Sequence, residues 1–169
     1  MSNIQTIFDM IVEIPKGSNI KYEWSEKHDQ LVVDRIIQTP VNYFFNYGFI
    51  PGTLGKDNDP LDVVLLNCDA IYPLSRISVK VLGMLETVDE HGEDNKIIAI
   101  PSDKVDQKSS CLNNIDDLCH HIKNQIKHFF SHYKDLEQNK WITVKDYKSL
   151  DVTVQHIFDS QIVESKHPV

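Results

Sequence analysis

Arginine is nearly absent from this chain: Arg35 and Arg76 stand against fifteen lysines. Cations as a group are outnumbered, 17 Lys and Arg to 25 Asp and Glu, for a formal net charge of −8 at pH 7. A general nucleic-acid binder or an anionic-membrane binder needs a basic face, so the balance argues against both. It leaves room for an anionic ligand, provided that divalent cations stand between ligand and protein. Cysteine is also scarce. Cys68, Cys111 and Cys119 are odd in number and lack framework spacing, which points to reduced thiols in a reducing compartment. No apolar run approaches membrane-spanning length. The start, "MSNIQTIFDMIVEIPKG", has no basic leader, and Asp9 and Glu13 interrupt its apolar residues, unlike a signal peptide. The expected location is the cytoplasm. With no repeat, low-complexity tract or Ser/Gly-rich linker, 169 residues at 41% apolar composition read as a single domain, 1–169, with its own core.

What is present is, first, a series of short β-type runs: "FDMIVEIP", "NIKYEW", "LVVDRII", "NYGFIPGT", "DVVLLN", "RISVKVLGMLETV" and "KIIAIP". Turn-forming stretches such as "KGSN", "EKHDQ", "GKDNDP" and "DEHGEDN" separate them. These separators are too short for crossover helices, so a closed or nearly closed barrel is expected rather than a parallel sheet. The last third changes period. Leu118, Ile122, Ile126, Phe129 and Tyr133 form the stripe of an amphipathic helix, with Asp116 as its expected N-cap. "KWITVKDY" reads as another strand, and Leu150, Val154, Ile157, Phe158 and Ile162 give a second helical face. The expected class is mainly β with α (α+β), with one helix on the barrel and one near the C-terminus. Cys119 is expected in the core.

The stretch "GKDNDPLDVV" crowds Asp57, Asp59 and Asp62 into six positions. A solvated turn is made of such residues, but other turns and strand ends here are also charged. Asp89, Glu90, Glu93 and Asp94 form a second acidic cluster, followed by Lys96, and Glu13 sits near the end of an apolar strand. Lys21 and Glu23 alternate in "IKYE" and so share a strand face. Arg35 lies in the apolar run "LVVDRII", and on a strand face within a barrel it needs an anionic partner, either a neighbouring carboxylate or a phosphate. Clustered carboxylates repel one another until cations bind, and an oxygen-only ligand set favours Mg²⁺ or Mn²⁺ over Zn²⁺. Such ions can bridge phosphate oxygens and acidify water, with Lys and Arg stabilising the leaving phosphate.

Competing motifs fail on spacing. An EF-hand loop beginning at Asp57 requires Gly where Asp62 stands. "GTLGKD" lacks the form of a phosphate-cradling Walker loop, and "HFFSH" lacks the Glu base of a zinc protease. His128 and His132 are expected at a helix contact or an interface.

"DNDPLD" followed by an apolar strand resembles the signature of soluble family I inorganic pyrophosphatases. The likeness runs in order through "EIP", "IKYE", "VDR", "NYGFIP", "DNDPLDV", "DEHGEDNK" and "HFFSHYKDLE". The chain's length resembles that of the short bacterial members, which assemble as hexamers from two trimers. The resemblance implies an OB-type five-stranded β-barrel with extra strands, hydrolysing pyrophosphate to two phosphates with Mg²⁺. On that pattern Asp57, Asp62 and Asp94 resemble ligands of the tightest metal site, with Asp62 shared by a second ion. Asp89 and Asp94 resemble ligands of the ion that arrives with substrate, and Glu13 a contributor to a further one. Asp59 resembles the general base acting on the attacking water. Lys21, Arg35, Tyr47, Lys96, Tyr133 and Lys134 resemble the phosphate-contacting set, and Glu23 lines the site. Two positions depart from the pattern: Phe44 stands where many relatives have Pro, and Phe49 where many have Tyr. An OB-fold nucleic-acid binder and a phosphatase with a covalent aspartyl intermediate are the competing readings. The net charge disfavours the first. The second normally presents its Asp pair at the end of an apolar strand, whereas Asp57 precedes one.

Overall fold

The computed structural model of the chain describes residues 4–162. Five strands close on themselves. β1 (Ile7–Ile14) pairs with β4 (Asn46–Phe49), β4 with β5 (Asp62–Leu65), β5 with β8 (Lys96–Pro101), β8 with β6 (Arg76–Asp89), and β6 returns to β1. Only the β5–β8 pair in this ring is parallel. The ring is closed, as the short runs between turns predict, and it is the OB-type barrel that the resemblance implies. The long β6 reaches past the barrel, where β7 (Gly92–Glu93) and β9 (Ile142–Lys148) pair with it. β2 (Ile20–Ser25) and β3 (Gln30–Ile36) form a separate two-stranded sheet.

The closure depends on apolar alternation and on one close approach. Met10, Val12, Val63, Leu65, Val79, Val81, Ile97 and Ala99 are buried together inside the ring. Gly48 is required between β1 and β4, because a Cβ there would lie 1.8 Å from the Ile11 carbonyl oxygen. A second cluster joins the outer wall to α1 (His120–His132): Tyr43, Phe45 and Tyr47 pack on Ile126, Phe129 and Phe130. Phe44 adds a half-buried ring to it, edge-on to Phe45 with 4.9 Å between centroids. α2 (Leu150–Asp159) caps the barrel through Val154 and Ile157.

Four expectations need correction. Asp116 is not the N-cap of α1; it lies in a 3₁₀ turn, Ile115–Asp117, capped by Asn114, whose side chain accepts from the amides of Asp116 and Asp117. The helix starts after Cys119, and Cys119 is exposed at that start rather than in the core. Phe158 is 39% exposed, at the margin of the buried face, and Ile162 lies beyond the end of α2, so the buried face of that helix is narrower than its apolar spacing suggests. Arg35 belongs to the β2–β3 hairpin and not to the barrel wall.

Candidate active site

The strands deliver their charged ends to one side of the barrel. Asp62 opens β5 directly opposite Lys96, which opens β8, because the two strands run parallel in that register. Asp89 closes β6, Glu13 stands one residue before the end of β1, and Tyr47 lies on β4. The loop before β5 carries Asp57 and Asp59. Its turn is held by the Gly55 amide donating to the Asp59 carbonyl at 2.7 Å, and by the Asp59 amide donating to Asp57 Oδ1 at 3.1 Å. Asn58 takes the left-handed φ of 68° that this turn requires. The base of the loop is pinned by buried Thr53, whose hydroxyl donates to the Ile50 carbonyl and accepts the Leu61 amide.

All thirteen residues singled out from the sequence line one cleft of about 660 Å³: Glu13, Lys21, Glu23, Arg35, Tyr47, Asp57, Asp59, Asp62, Asp89, Asp94, Lys96, Tyr133 and Lys134. Phe49 lines it too, without the hydroxyl that a Tyr would bring.

At the centre, buried Lys96 reaches Asp62 Oδ2 at 2.7 Å and Asp94 Oδ2 at 2.5 Å. Tyr47 donates its hydroxyl to the same Asp62 oxygen at 2.7 Å. Burial would raise the Asp62 carboxyl, but Lys96 and these hydrogen bonds outweigh it and hold it below the usual range. The same two carboxylates, against the effect of burial, push the Lys96 ammonium well above its ordinary value. Asp94 goes the other way: burial, reinforced by the neighbouring Asp62 charge, raises it despite Lys96. Glu13 is pushed up to about 7, chiefly by burial, although it accepts the Trp24 amide at 2.8 Å. Asp59 is also raised, by burial and by Asp57. Asp89 is lowered, since a 2.9 Å bond from Lys134 overcomes its burial.

Among the described residues, no three carboxylate, imidazole or thiol groups stand ready to enclose a metal ion. The reason is local: Asp62 and Asp94 are turned onto the Lys96 ammonium, and Asp89 onto Lys134. The donor set nevertheless fits a hard divalent cation. It is made of oxygen alone, and burial raises two of its members, Glu13 and Asp94, whose charged forms a bound cation would favour.

Some members of the site were not foreseen. Asp34 bonds Lys21 at 3.1 Å and Arg35 Nε at 3.3 Å, and Glu137 bonds Arg35 Nη1. The adjacency of Asp34 to Arg35 was a visible signal. Glu137 lies too far along the chain to be paired with Arg35 by any spacing rule. Lys56 Nζ meets Glu93 Oε2 at 2.6 Å, tying the acidic loop to the second acidic cluster.

The inorganic pyrophosphatase family profile matches residues 10–162. An inorganic pyrophosphatase of Sulfolobus acidocaldarius is 48% identical over 147 residues, covering 87% of this chain and 85% of that protein. One of Helicobacter pylori is 44% identical over 146 residues, 86% and 84% of the two chains. Among solved structures, a Helicobacter pylori inorganic pyrophosphatase superposes with a TM-score of 0.89 at 40% identity, over 94% of this chain and 95% of that one. The Thermus thermophilus inorganic pyrophosphatase also gives 0.89, at 31% identity, over 95% and 92%. In sequence and in fold alike, the chain belongs to the inorganic pyrophosphatase family.

Proposed function

We propose that this single domain hydrolyses inorganic pyrophosphate to two phosphates with Mg²⁺, Mn²⁺ being an alternative. One observation carries the reading: five oxygen-ligand carboxylates and six Lys, Arg and Tyr side chains converge on one cleft. Asp57, Asp62, Asp94, Asp89 and Glu13 would hold the ions. When bound, the ions supply Lewis-acid charge against phosphate oxygens and lower the pKa of water. Lys21, Arg35, Tyr47, Lys96, Tyr133 and Lys134 orient the substrate and take up the charge that develops on the departing phosphate. Tyr47 and Lys96 do so from the barrel wall, Lys21 and Arg35 from the hairpin, and Tyr133 and Lys134 from the end of α1. Asp59 projects from an exposed turn and forms no ion pair among the described residues, and its raised pKa suits a base that removes a proton from the attacking water. Glu23, beside Lys21 at 3.4 Å, lines the site and steadies that lysine.

The test is phosphate release from pyrophosphate in Mg²⁺, and its loss with chelator. Phosphomonoesters and nucleotides should be poor substrates. Single-stranded nucleic acid binding with no release would favour the OB-fold binder, and a trapped phosphoenzyme would favour aspartyl chemistry.

A cytoplasmic homohexamer, a dimer of trimers, is the proposed working form. No helix among the described residues is long and apolar enough to cross a membrane. On the exposed face of α1, the His128 and His132 rings lie 4.5 Å apart between centroids, tilted by 47°, and His132 Nδ1 meets Asp135 Oδ2 at 2.8 Å. Light scattering at neutral pH should give a hexamer, shifted toward trimers by His128→Gln or His132→Gln. A monomer would refute this.

A further inference from the structure

One buried acid beside the cleft has no part in the scheme above. Glu137 lies in the segment between α1 and β9, with its side chain only 10% exposed. Its Oε2 accepts from Arg35 Nη1 and faces Lys140 Nζ at 3.6 Å. Its Oε1 is buried with no hydrogen-bond partner among the described residues. A carboxylate kept dry with one oxygen unsatisfied is unfavourable by itself, so the arrangement calls for an explanation in what Oε2 does.

Arg35 projects from a hairpin in which no residue is buried. Nothing in that hairpin's packing would fix a long side chain. The guanidinium is instead hydrogen-bonded through Nη1 to Glu137, while Asp34 Oδ2 stands in ion-pair range of Nε at 3.3 Å. Its Nη2 has no hydrogen-bond partner among the described residues. Because the guanidinium is planar, the hydrogen bond at Nη1 together with the opposite charge beside Nε orients its plane and the direction of Nη2. Arg35 and Lys140 line the cleft, whereas Glu137 does not; it stands behind Arg35. It also follows Tyr133 and Lys134 closely in the chain, so it joins the hairpin's cations to those at the end of α1.

We infer that Glu137 is a positioning residue: it grips Arg35 from behind and aims the free edge of the guanidinium at a phosphate oxygen in the cleft. The inference rests on the reading of the cleft as a pyrophosphate site. The carboxylate does not touch substrate. Its charge is held against Arg35 and Lys140, and Asp34 alone, on the hairpin strand itself, could fix the guanidinium only relative to the hairpin.

A double-mutant cycle between Glu137 and Arg35 tests it, with steady-state pyrophosphate hydrolysis and calorimetric binding of inorganic phosphate as separate readouts. Glu137→Ala should raise KM about tenfold while kcat falls less, and should weaken phosphate binding in parallel. Glu137→Gln, which still offers Nη1 an acceptor, should recover most of that loss. In an Arg35→Ala background, Glu137→Ala should change KM and phosphate affinity less than about twofold, because no guanidinium remains to be aimed. A Glu137 effect of equal size with and without Arg35 overturns the inference, as does a lowered unfolding midpoint with KM unchanged. If Glu137→Ala does not fold, Glu137→Gln carries the same cycle: a smaller KM shift that vanishes without Arg35 supports positioning, and one that persists refutes it. Absence of phosphate release from the wild-type protein would instead overturn the pyrophosphatase reading, and the phosphate-binding cycle would still decide the role of Glu137.

Discussion

The two sides of the cleft are built in opposite ways. On the barrel side, Lys96 is 2% exposed and Lys134 6%, and of the carboxylates they meet, Asp62 starts β5 and Asp89 ends β6, strands rich in core residues. On the hairpin side, Lys21 is 25% exposed and its partners Asp34 and Glu23 are 36% and 50% exposed, on strands with no buried residue. Breaking a buried ion pair by removing one partner is strongly destabilising, whereas an exposed pair contributes about 0–1 kcal/mol. Chemistry and folding stability are therefore coupled on the barrel side and separable on the hairpin side.

The largest effect should come from the barrel side. Asp62→Asn keeps the side chain's shape but removes its charge, leaving Lys96 with Asp94 alone. Turnover and Mg²⁺ affinity should fall by orders of magnitude, and urea unfolding should show a loss of about 1–3 kcal/mol for the weakened buried ammonium. A near-normal rate at saturating Mg²⁺ with an unchanged midpoint would mean that Asp62 belongs to a solvated turn.

Asp59 lies between the two regimes, on the barrel's loop yet exposed. Asp59→Asn should cut turnover by about 10²–10⁴-fold, with stability unaltered and the first Mg²⁺ affinity changed much less than by Asp62→Asn. Part of the rate should return at higher pH, where hydroxide is more abundant. Calorimetry beside a pH–rate profile decides it. Severe weakening of the first metal with no alkaline recovery would make Asp59 a ligand.

On the hairpin side the prediction is a clean separation. Lys21→Met should raise KM several-fold while the unfolding midpoint stays within about 0.5 kcal/mol of wild type. A stability loss as large as that of Asp62→Asn would place the hairpin within the cooperative core and erase the contrast.

The same contrast explains how much was legible in the sequence. Strands such as "DVVLL" and "KIIAIP" carry unbroken apolar runs because both of their faces are buried, and their starts, Asp62 and Lys96, were readable as charges where core begins. That these two face each other follows from the parallel β5–β8 register, which no local pattern encodes. The hairpin was legible as strands, but Arg35 was read as lying on a strand of the barrel because alternation cannot tell a peripheral ribbon from a wall. Its partner choice stayed open between carboxylate and phosphate. In the structure two carboxylates hold it, and one of them, Glu137, arrives through long-range packing. Local rules also misplaced the start of α1: Asp116 has the chemistry of a cap, but Asn114 captures the turn first, and the chain takes another bend before His120.

The smallest expected effect tests the link between the loop and the second acidic cluster. Lys56, 75% exposed, meets Glu93 Oε2 at 2.6 Å. Glu93 Oε1 accepts from Asn95 Nδ2 at 2.8 Å, and Asn95 Oδ1 accepts the buried Thr87 amide at 3.2 Å. This chain of contacts runs from an exposed loop into β6 and holds the segment bearing Asp57 against the one bearing Asp94. If the contact sets the spacing of those carboxylates, Lys56→Met should raise the Mg²⁺ concentration for half-maximal binding by about two- to fivefold, the range of an exposed pair. Lys56→Arg should restore it. Glu93→Gln should match Lys56→Met, and the two changes together should do no more than either alone. Titration calorimetry with Mg²⁺ measures all four proteins. A shift beyond tenfold would mean that the loop depends on Lys56 as the barrel side depends on Lys96. No shift would mean that the loop's own turn, through Gly55, Asp57 and Asp59, already holds Asp57 in place.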